Sequence, residues 1–123
     1  MNVKLKKLTK EQEYVIKNKG TEKPFTGYLL NNKESGSYIC AQCGVKLFDS
    51  NTKFDSGTGW PSFSEANMKN IELKDDYDLG VKRTEVICKN CKSHLGHVFD
   101  DGPSSSKKRY CINSICLNFK KKK

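Results

Sequence analysis

The chain's six cysteines fall into two classes by spacing. Cys40/Cys43 and Cys88/Cys91 form two CxxC pairs, whereas Cys111 stands in the segment Arg109-Tyr110-Cys111-Ile112-Asn113-Ser114, with Cys116 five residues further on. Two vicinal pairs supply a complete tetrahedral thiolate set for zinc, and an ion so held keeps no open position for a reacting water or substrate. Chemistry is therefore to be sought at Cys111. On a strand, Arg109, Cys111 and Asn113 would share one face at intervals of about 6–7 Å, with Tyr110 and Ile112 turned away. A guanidinium one step from the sulfur favours thiolate over thiol, which predicts a lowered pKa of the kind a nucleophile needs. A buried, inert cysteine would instead have apolar neighbours on that face.

Two further segments could serve such a sulfur. His94-Leu95-Gly96-His97 carries both histidines of the chain across a glycine, and a turn there would aim two rings at one pocket. Imidazoles titrate in the neutral range and suit proton donation to a developing oxyanion. Taken singly, each is more often a surface or capped core residue. In Ser56-Gly57-Thr58-Gly59-Trp60-Pro61-Ser62-Phe63 the single tryptophan follows two glycines and precedes a proline. An indole on such a loop can wall an apolar pocket, although it can also simply be core. A rival metal set, Cys88/Cys91/His94/His97, has only two residues between its histidines, fewer than the three to five of zinc fingers.

These residues need elements to hold them. Thr9 with Gln12 three residues on is a capping-box pattern, Tyr14, Val15 and Ile16 give an apolar patch, and Gly20 is a stop signal, so a helix is expected over 9–19. Short apolar runs follow at Tyr38–Cys40, Val45–Phe48, Ile71–Leu73, Val81–Cys88, Val98–Phe99, Tyr110–Ile112 and Ile115–Phe119. Turn residues separate most of them, which favours an antiparallel, mainly β domain. The CxxC pairs are 44 residues apart, beyond the roughly 15–20 of one compact zinc ribbon, so two separate hairpin ends must meet at the metal. Gly44 fits a knuckle-like turn around a thiolate, where positive φ is needed.

A length of 123 residues with 35% hydrophobic content fits one domain with a modest core. Met1 to Lys10 lacks the apolar run of a signal peptide, and no stretch is long enough to span a membrane. With thiols rather than disulfides expected, the cytoplasm is the default location. Net charge is +9, and removing the four lysines of Lys120 to Lys123 leaves +5. That block is expected to be a solvated, disordered tail, outside a domain spanning 6–119. The other lysines lack aromatic interleaving, so neither nucleic acid nor membrane is expected as a partner.

Taken together, Gly20-Thr21-Glu22-Lys23-Pro24-Phe25-Thr26-Gly27, Ser56 to Phe63, His94-Leu95-Gly96-His97-Val98-Phe99 and Arg109 to Ser114 closely resemble the B-type methionine sulfoxide reductases. The resemblance implies a mainly β fold of two antiparallel sheets in a β-tent arrangement with a short N-terminal helix. It also implies a structural zinc at Cys40, Cys43, Cys88 and Cys91, and reduction of the R epimer of methionine sulfoxide, protein-bound or free. By motif position, Cys111 would be the nucleophile with Arg109 supporting its thiolate. His94, His97 and Asn113 would address the sulfoxide oxygen, Asp101 would orient the network, and Trp60 with Phe99 would wall the methyl pocket.

One departure matters. Many relatives have a resolving cysteine where this chain has Thr58. Cys116, five residues from Cys111, would lie about 16 Å away on the opposite face of a continuous strand, beyond the roughly 7 Å that a disulfide spans between Cα atoms. The expectation is a one-cysteine cycle in a monomer, with thioredoxin or a small thiol as reductant. Two other readings are a non-enzymatic zinc module that contacts acidic partners or nucleic acid, and a zinc-bearing chaperone of the related architecture. Both leave Cys111 and the histidines without a task.

Overall fold

The computed structural model describes residues 7–77 and 80–122. Lys4, Lys6 and Lys123, and with Lys6 the start of the expected domain, lie outside them. The capping box forms as the sequence predicts: Thr9 Oγ1 accepts from the Gln12 amide at 3.1 Å, and Gln12 Oε1 accepts from the Thr9 amide at 3.0 Å. It opens helix α1, Lys10–Ile16. The helix ends well short of Gly20, because Lys19 takes the left-handed conformation (φ 56°) and the Gly20 amide turns back onto the Tyr14 carbonyl. Val15 and Ile16 are buried, while Tyr14 of the expected apolar patch faces solvent.

Among the described residues nine strands follow: β1 Gly36–Cys40, β2 Lys46–Asp49, β3 Lys53–Phe54, β4 Ser62–Phe63, β5 Ile71–Asp76, β6 Arg83–Cys88, β7 His94–Phe99, β8 Arg109–Ile112 and β9 Leu117–Lys121. They build two sheets of antiparallel strands, one in the order β2-β1-β9 and the other β3-β4-β8-β7-β6-β5. The two-residue strands β3 and β4 are too short to carry a periodic signal. Tyr38 and Phe48 from the smaller sheet interlock with Phe63 from the larger, the Phe48 and Phe63 rings stacking at 4.3 Å and Tyr38 meeting Phe63 edge-on at 5.0 Å. Leu47, Leu95, Ile112 and Leu117 complete a fully buried core between the sheets.

Three local expectations are corrected. Lys120 and Lys121 belong to β9, paired with Ser37 and Gly36, so the ordered domain runs past 119 and the basic block is not a tail from Lys120 on. The chain does not continue straight from Cys111 to Cys116 either. A 3-10 turn at Ser114–Cys116 breaks the strand and carries the chain from the large sheet to the small one. Finally, His94 to Phe99 is a strand and not a turn.

That strand contains the device that brings the histidines together. Residues three apart on a regular strand point to opposite faces. Between β6 and β7, however, Val86 pairs with Gly96 and Ile87 with His94, which leaves Leu95 as the extra residue of a bulge. His94 and His97 therefore share a face, with ring centroids 5.5 Å apart.

Candidate active site

On that face His97 of β7 stands directly opposite Cys111 of β8, and Ser62 of β4 flanks Cys111 on the other side. Phe99 is likewise paired with Arg109. Opposed side chains on neighbouring strands start from Cβ atoms about 4.5–5.5 Å apart. Around them opens a cavity of about 240 Å³, with Trp60 and Phe99 as aromatic walls and Cys111, His97, Asn113, Arg109 and Arg83 among its polar lining. Trp60 is fixed by its Nε1–H, which donates to the Glu22 carbonyl at 2.9 Å.

The predicted face of β8 forms, with Tyr110 and Ile112 buried behind it. The electrostatic expectation is corrected in its net direction. Burial raises the Cys111 thiol above its ordinary value, and the Glu22 carboxyl adds to this, while Thr58 and Arg109 pull the other way without prevailing. Arg109 is partly neutralised, since Asp101 accepts from its Nε at 2.8 Å and its Nη2 at 3.1 Å. Its guanidinium also lies 4.5 Å over the Phe99 ring. Asp101 is thus engaged with Arg109 on the exposed side and not with the histidines.

The two imidazoles have different surroundings. His94 is buried, donates from Nδ1 to Glu85 Oε2 at 2.7 Å, and does not line the cavity. Burial lowers its pKa against the pull of Glu85, and its Nε2 is sealed without a hydrogen-bond partner. His97 lines the cavity, with Nε2 2.7 Å from Asp76 Oδ2. Lys19 lies 3.4 Å from Asp76 and 3.5 Å from Glu85, and Arg83 lies 3.5 Å from Asp76. None of Lys19, Asp76, Arg83 and Glu85 was singled out from the sequence. Their only local mark is Arg83/Glu85 alternation at the start of β6.

Asn113 works largely as a fastener. Its Nδ2 and its backbone amide both donate to the Leu95 carbonyl, at 3.0 and 2.9 Å, and its Oδ1 accepts from the Glu22 amide at 3.0 Å. Glu22 in turn accepts from the Ile115 amide at 2.9 Å. The Gly20–Gly27 segment, the bulge and the 3-10 turn are thereby clamped around the cavity. Thr58 places Oγ1 4.0 Å from Cys111 Sγ. Cys116 is fully buried, and its thiol donates to the His94 carbonyl at 3.2 Å.

The four remaining cysteines converge elsewhere. Cys40 and Cys43 stand on the turn leaving β1, Cys88 and Cys91 on the turn leaving β6, and all four sulfurs lie within 4.8 Å of one another. The Cys40–Cys91 and Cys43–Cys88 separations are both 3.6 Å. Four sulfurs at about 2.3 Å from a tetrahedral zinc would stand about 3.8 Å apart, so this cluster could hold such an ion. Both turns close alike: Gly44 (φ 83°) and Lys92 (φ 65°) take the left-handed position and donate to the Cys40 and Cys88 carbonyls. The mixed set Cys88/Cys91/His94/His97 does not form: Cys88 and Cys91 converge with Cys40 and Cys43, not with the histidines.

Comparison with known proteins agrees with this arrangement. The SelR domain family matches residues 8–121. The chain is 57% identical over 116 residues to "Peptide methionine sulfoxide reductase MsrB" of Methanosarcina barkeri, covering 94% of this chain and 82% of that protein. It is 54% identical over 126 residues to "Methionine-R-sulfoxide reductase B2, mitochondrial" of Homo sapiens, covering 96% and 69%. Against the MsrB of Leptospira interrogans the identity is 49% over 117 residues, covering 94% and 89%. The match runs from ahead of the Thr9 cap to the last residue of β9 and takes in the whole cavity and the cysteine cluster, and the chain belongs to the SelR domain family.

Proposed function

We propose that the chain reduces the R epimer of methionine sulfoxide, protein-bound or free, to methionine. The observation that carries this reading is His97 opposed to Cys111 at the foot of a cavity walled by Trp60 and Phe99. Sulfoxide sulfur is a poor electrophile until its oxygen is hydrogen-bonded or protonated. With the S-methyl group against Trp60 and the oxygen toward His97, the Cys111 thiolate attacks sulfur. One proton goes to the oxygen, the hydroxyl shifts from the substrate's sulfur to Cys111 Sγ as the bond between the two sulfurs breaks, and thioether leaves with Cys111 as a sulfenic acid. His94 and Asn113 support this geometry from behind, while Arg109, held by Asp101, favours the thiolate.

Regeneration requires two electrons from outside. A first thiol condenses with the sulfenic acid, releasing water and forming a mixed disulfide, and a second thiol displaces Cys111. Thr58 offers no sulfur, and Cys116 is sealed in the core, which supports thioredoxin or a small thiol as the direct reductant. A structural zinc on Cys40, Cys43, Cys88 and Cys91 holds the fold, and supplies no chemistry to the cavity. No described helix is long and apolar enough to cross a membrane. A monomer working in the reducing cytoplasm accommodates all of these features.

The test is incubation with separated R and S epimers of a blocked methionine sulfoxide and dithiothreitol, followed by chromatography. Consumption of R alone is expected. Consumption of neither, or of both equally, overturns the reading.

A further inference from the structure

Burial leaves Cys111 as a thiol at rest, so its proton must go somewhere before the sulfur can attack. The sulfoxide oxygen needs a proton in the same step. Both demands fall on His97, which stands opposite Cys111 across the β7–β8 ladder. For the ring to accept the thiol proton, the nitrogen on the Cys111 side must carry a lone pair, and the ring's own hydrogen must sit on the other nitrogen. A carboxylate can only accept, so Asp76 Oδ2 at 2.7 Å from Nε2 places that hydrogen on Nε2 and leaves Nδ1 as the acceptor.

We propose that Asp76 is the positioning residue of a Cys111–His97–Asp76 relay: it fixes the Nε2–H form of His97, so that Nδ1 takes the thiol proton and returns it to the sulfoxide oxygen. This rests on the sulfoxide reductase reading above. The step balances without an outside proton. Cys111 S–H passes its proton to Nδ1, and the resulting imidazolium keeps Nε2–H on Asp76. The thiolate bonds to the sulfoxide sulfur and Nδ1–H moves to oxygen. The hydroxyl then shifts from the substrate sulfur to Cys111 Sγ as the bond between the two sulfurs breaks, and the products are a sulfenic acid, a thioether and a neutral ring in its starting form.

Asp76 is anchored for this task. Its side chain is 1% exposed at the end of β5 and meets Arg83 of β6 at 3.5 Å and Lys19, beyond α1, at 3.4 Å. The neighbouring pair behaves differently. Glu85 holds His94 at Nδ1, so that ring carries the opposite hydrogen placement and its Nε2 is sealed in the core. Two carboxylates on adjacent strands therefore sort two histidines into one relay ring and one buried support.

Only two histidines are present, so ring nitrogens can be assigned directly by long-range proton–nitrogen correlation spectra of the unaltered protein. The expected result is Nε2–H on His97 and Nδ1–H on His94. In Asp76→Asn the amide can donate to Nε2 and reverse the His97 form. Its single-turnover rate on the R epimer should fall roughly 10²-fold or more, with substrate binding little changed, as misplacing a relay proton does elsewhere. Nδ1–H on His97 in the unaltered protein overturns the proposal, as does a folded Asp76→Asn protein with an unchanged rate. Should that variant not fold, the spectrum of the unaltered protein still decides. Absence of R-epimer consumption by the unaltered protein would instead sink the activity itself, leaving the ring assignment to stand or fall separately.

Discussion

At the scale of single residues, Cys111 is held back rather than switched on. Burial pushes its thiol up, and the pull of Arg109 is shared with Asp101 and the face of Phe99. A thiolate kept permanently in solvent reach would be open to adventitious oxidation, whereas a thiol that ionises only beside a bound sulfoxide is spared. The sign of the shift gives a test. A raised pKa favours the neutral form, so the iodoacetamide alkylation rate of Cys111 should climb with a midpoint above the about 8.5 of an ordinary cysteine. A midpoint below that value would contradict the burial argument. Cys111→Ser should abolish sulfoxide turnover while shifting the thermal midpoint little, because the half-buried thiol is exchanged for a hydroxyl facing a cavity. Turnover surviving in that variant would transfer the nucleophile's role elsewhere.

Among the elements, the site depends on how closely β7 and β8 approach. A Cβ built on Gly96 would lie 2.1 Å from the Cys111 carbonyl oxygen, a backbone atom that cannot swing aside. Gly96→Ala must therefore wedge the two strands apart, at a cost of about 1–3 kcal/mol for overpacking. The same wedge separates His97 from Cys111, so the single-turnover rate should fall even in the folded fraction. An alanine variant with native stability and native rate would refute the close approach. Why some of this was legible in the sequence follows from locality. Arg109 and Cys111 lie on one strand with Asn113 just past its end, and their shared side is a matter of counting by two. The two CxxC knuckles and the Thr9 capping box are likewise written in consecutive residues. Asp76 and Glu85 reach the histidines only through the pairing of β5, β6 and β7, and the bulge at Leu95 alters that pairing by one residue. No count along the chain reveals it. For the same reason the histidine segment reads as a turn: a bulged strand and a turn both bring residues three apart to one side.

For the whole molecule, the cysteine cluster acts as the rivet between the two sheets. Cys40 and Cys43 lie where β1 turns toward β2 in the small sheet, and Cys88 and Cys91 lie where β6 turns toward β7 in the large one. Without a cation the sulfurs repel one another's charge. Hydrogen bonds from Cys40 and Cys88 favour a thiolate on Cys91, and in return the Cys88 thiol is pushed up. A divalent ion held there would let all four ionise and convert that crowding into attraction. Apparent zinc binding at small structural sites is worth about 10–16 kcal/mol at neutral pH, against about 5–15 kcal/mol for the net stability of a typical domain. Loss of metal should therefore remove most of the stability, and β7, which starts three residues after Cys91, should lose its fixed place with it. Guanidine unfolding after metal removal by a strong chelator is expected to show a midpoint far below that of the metal-loaded protein, and Cys88→Ser should reproduce the loss while Cys111→Ser should not. Equal midpoints after verified metal removal would mean that the aromatic interlock of Tyr38, Phe48 and Phe63 holds the sheets together unaided.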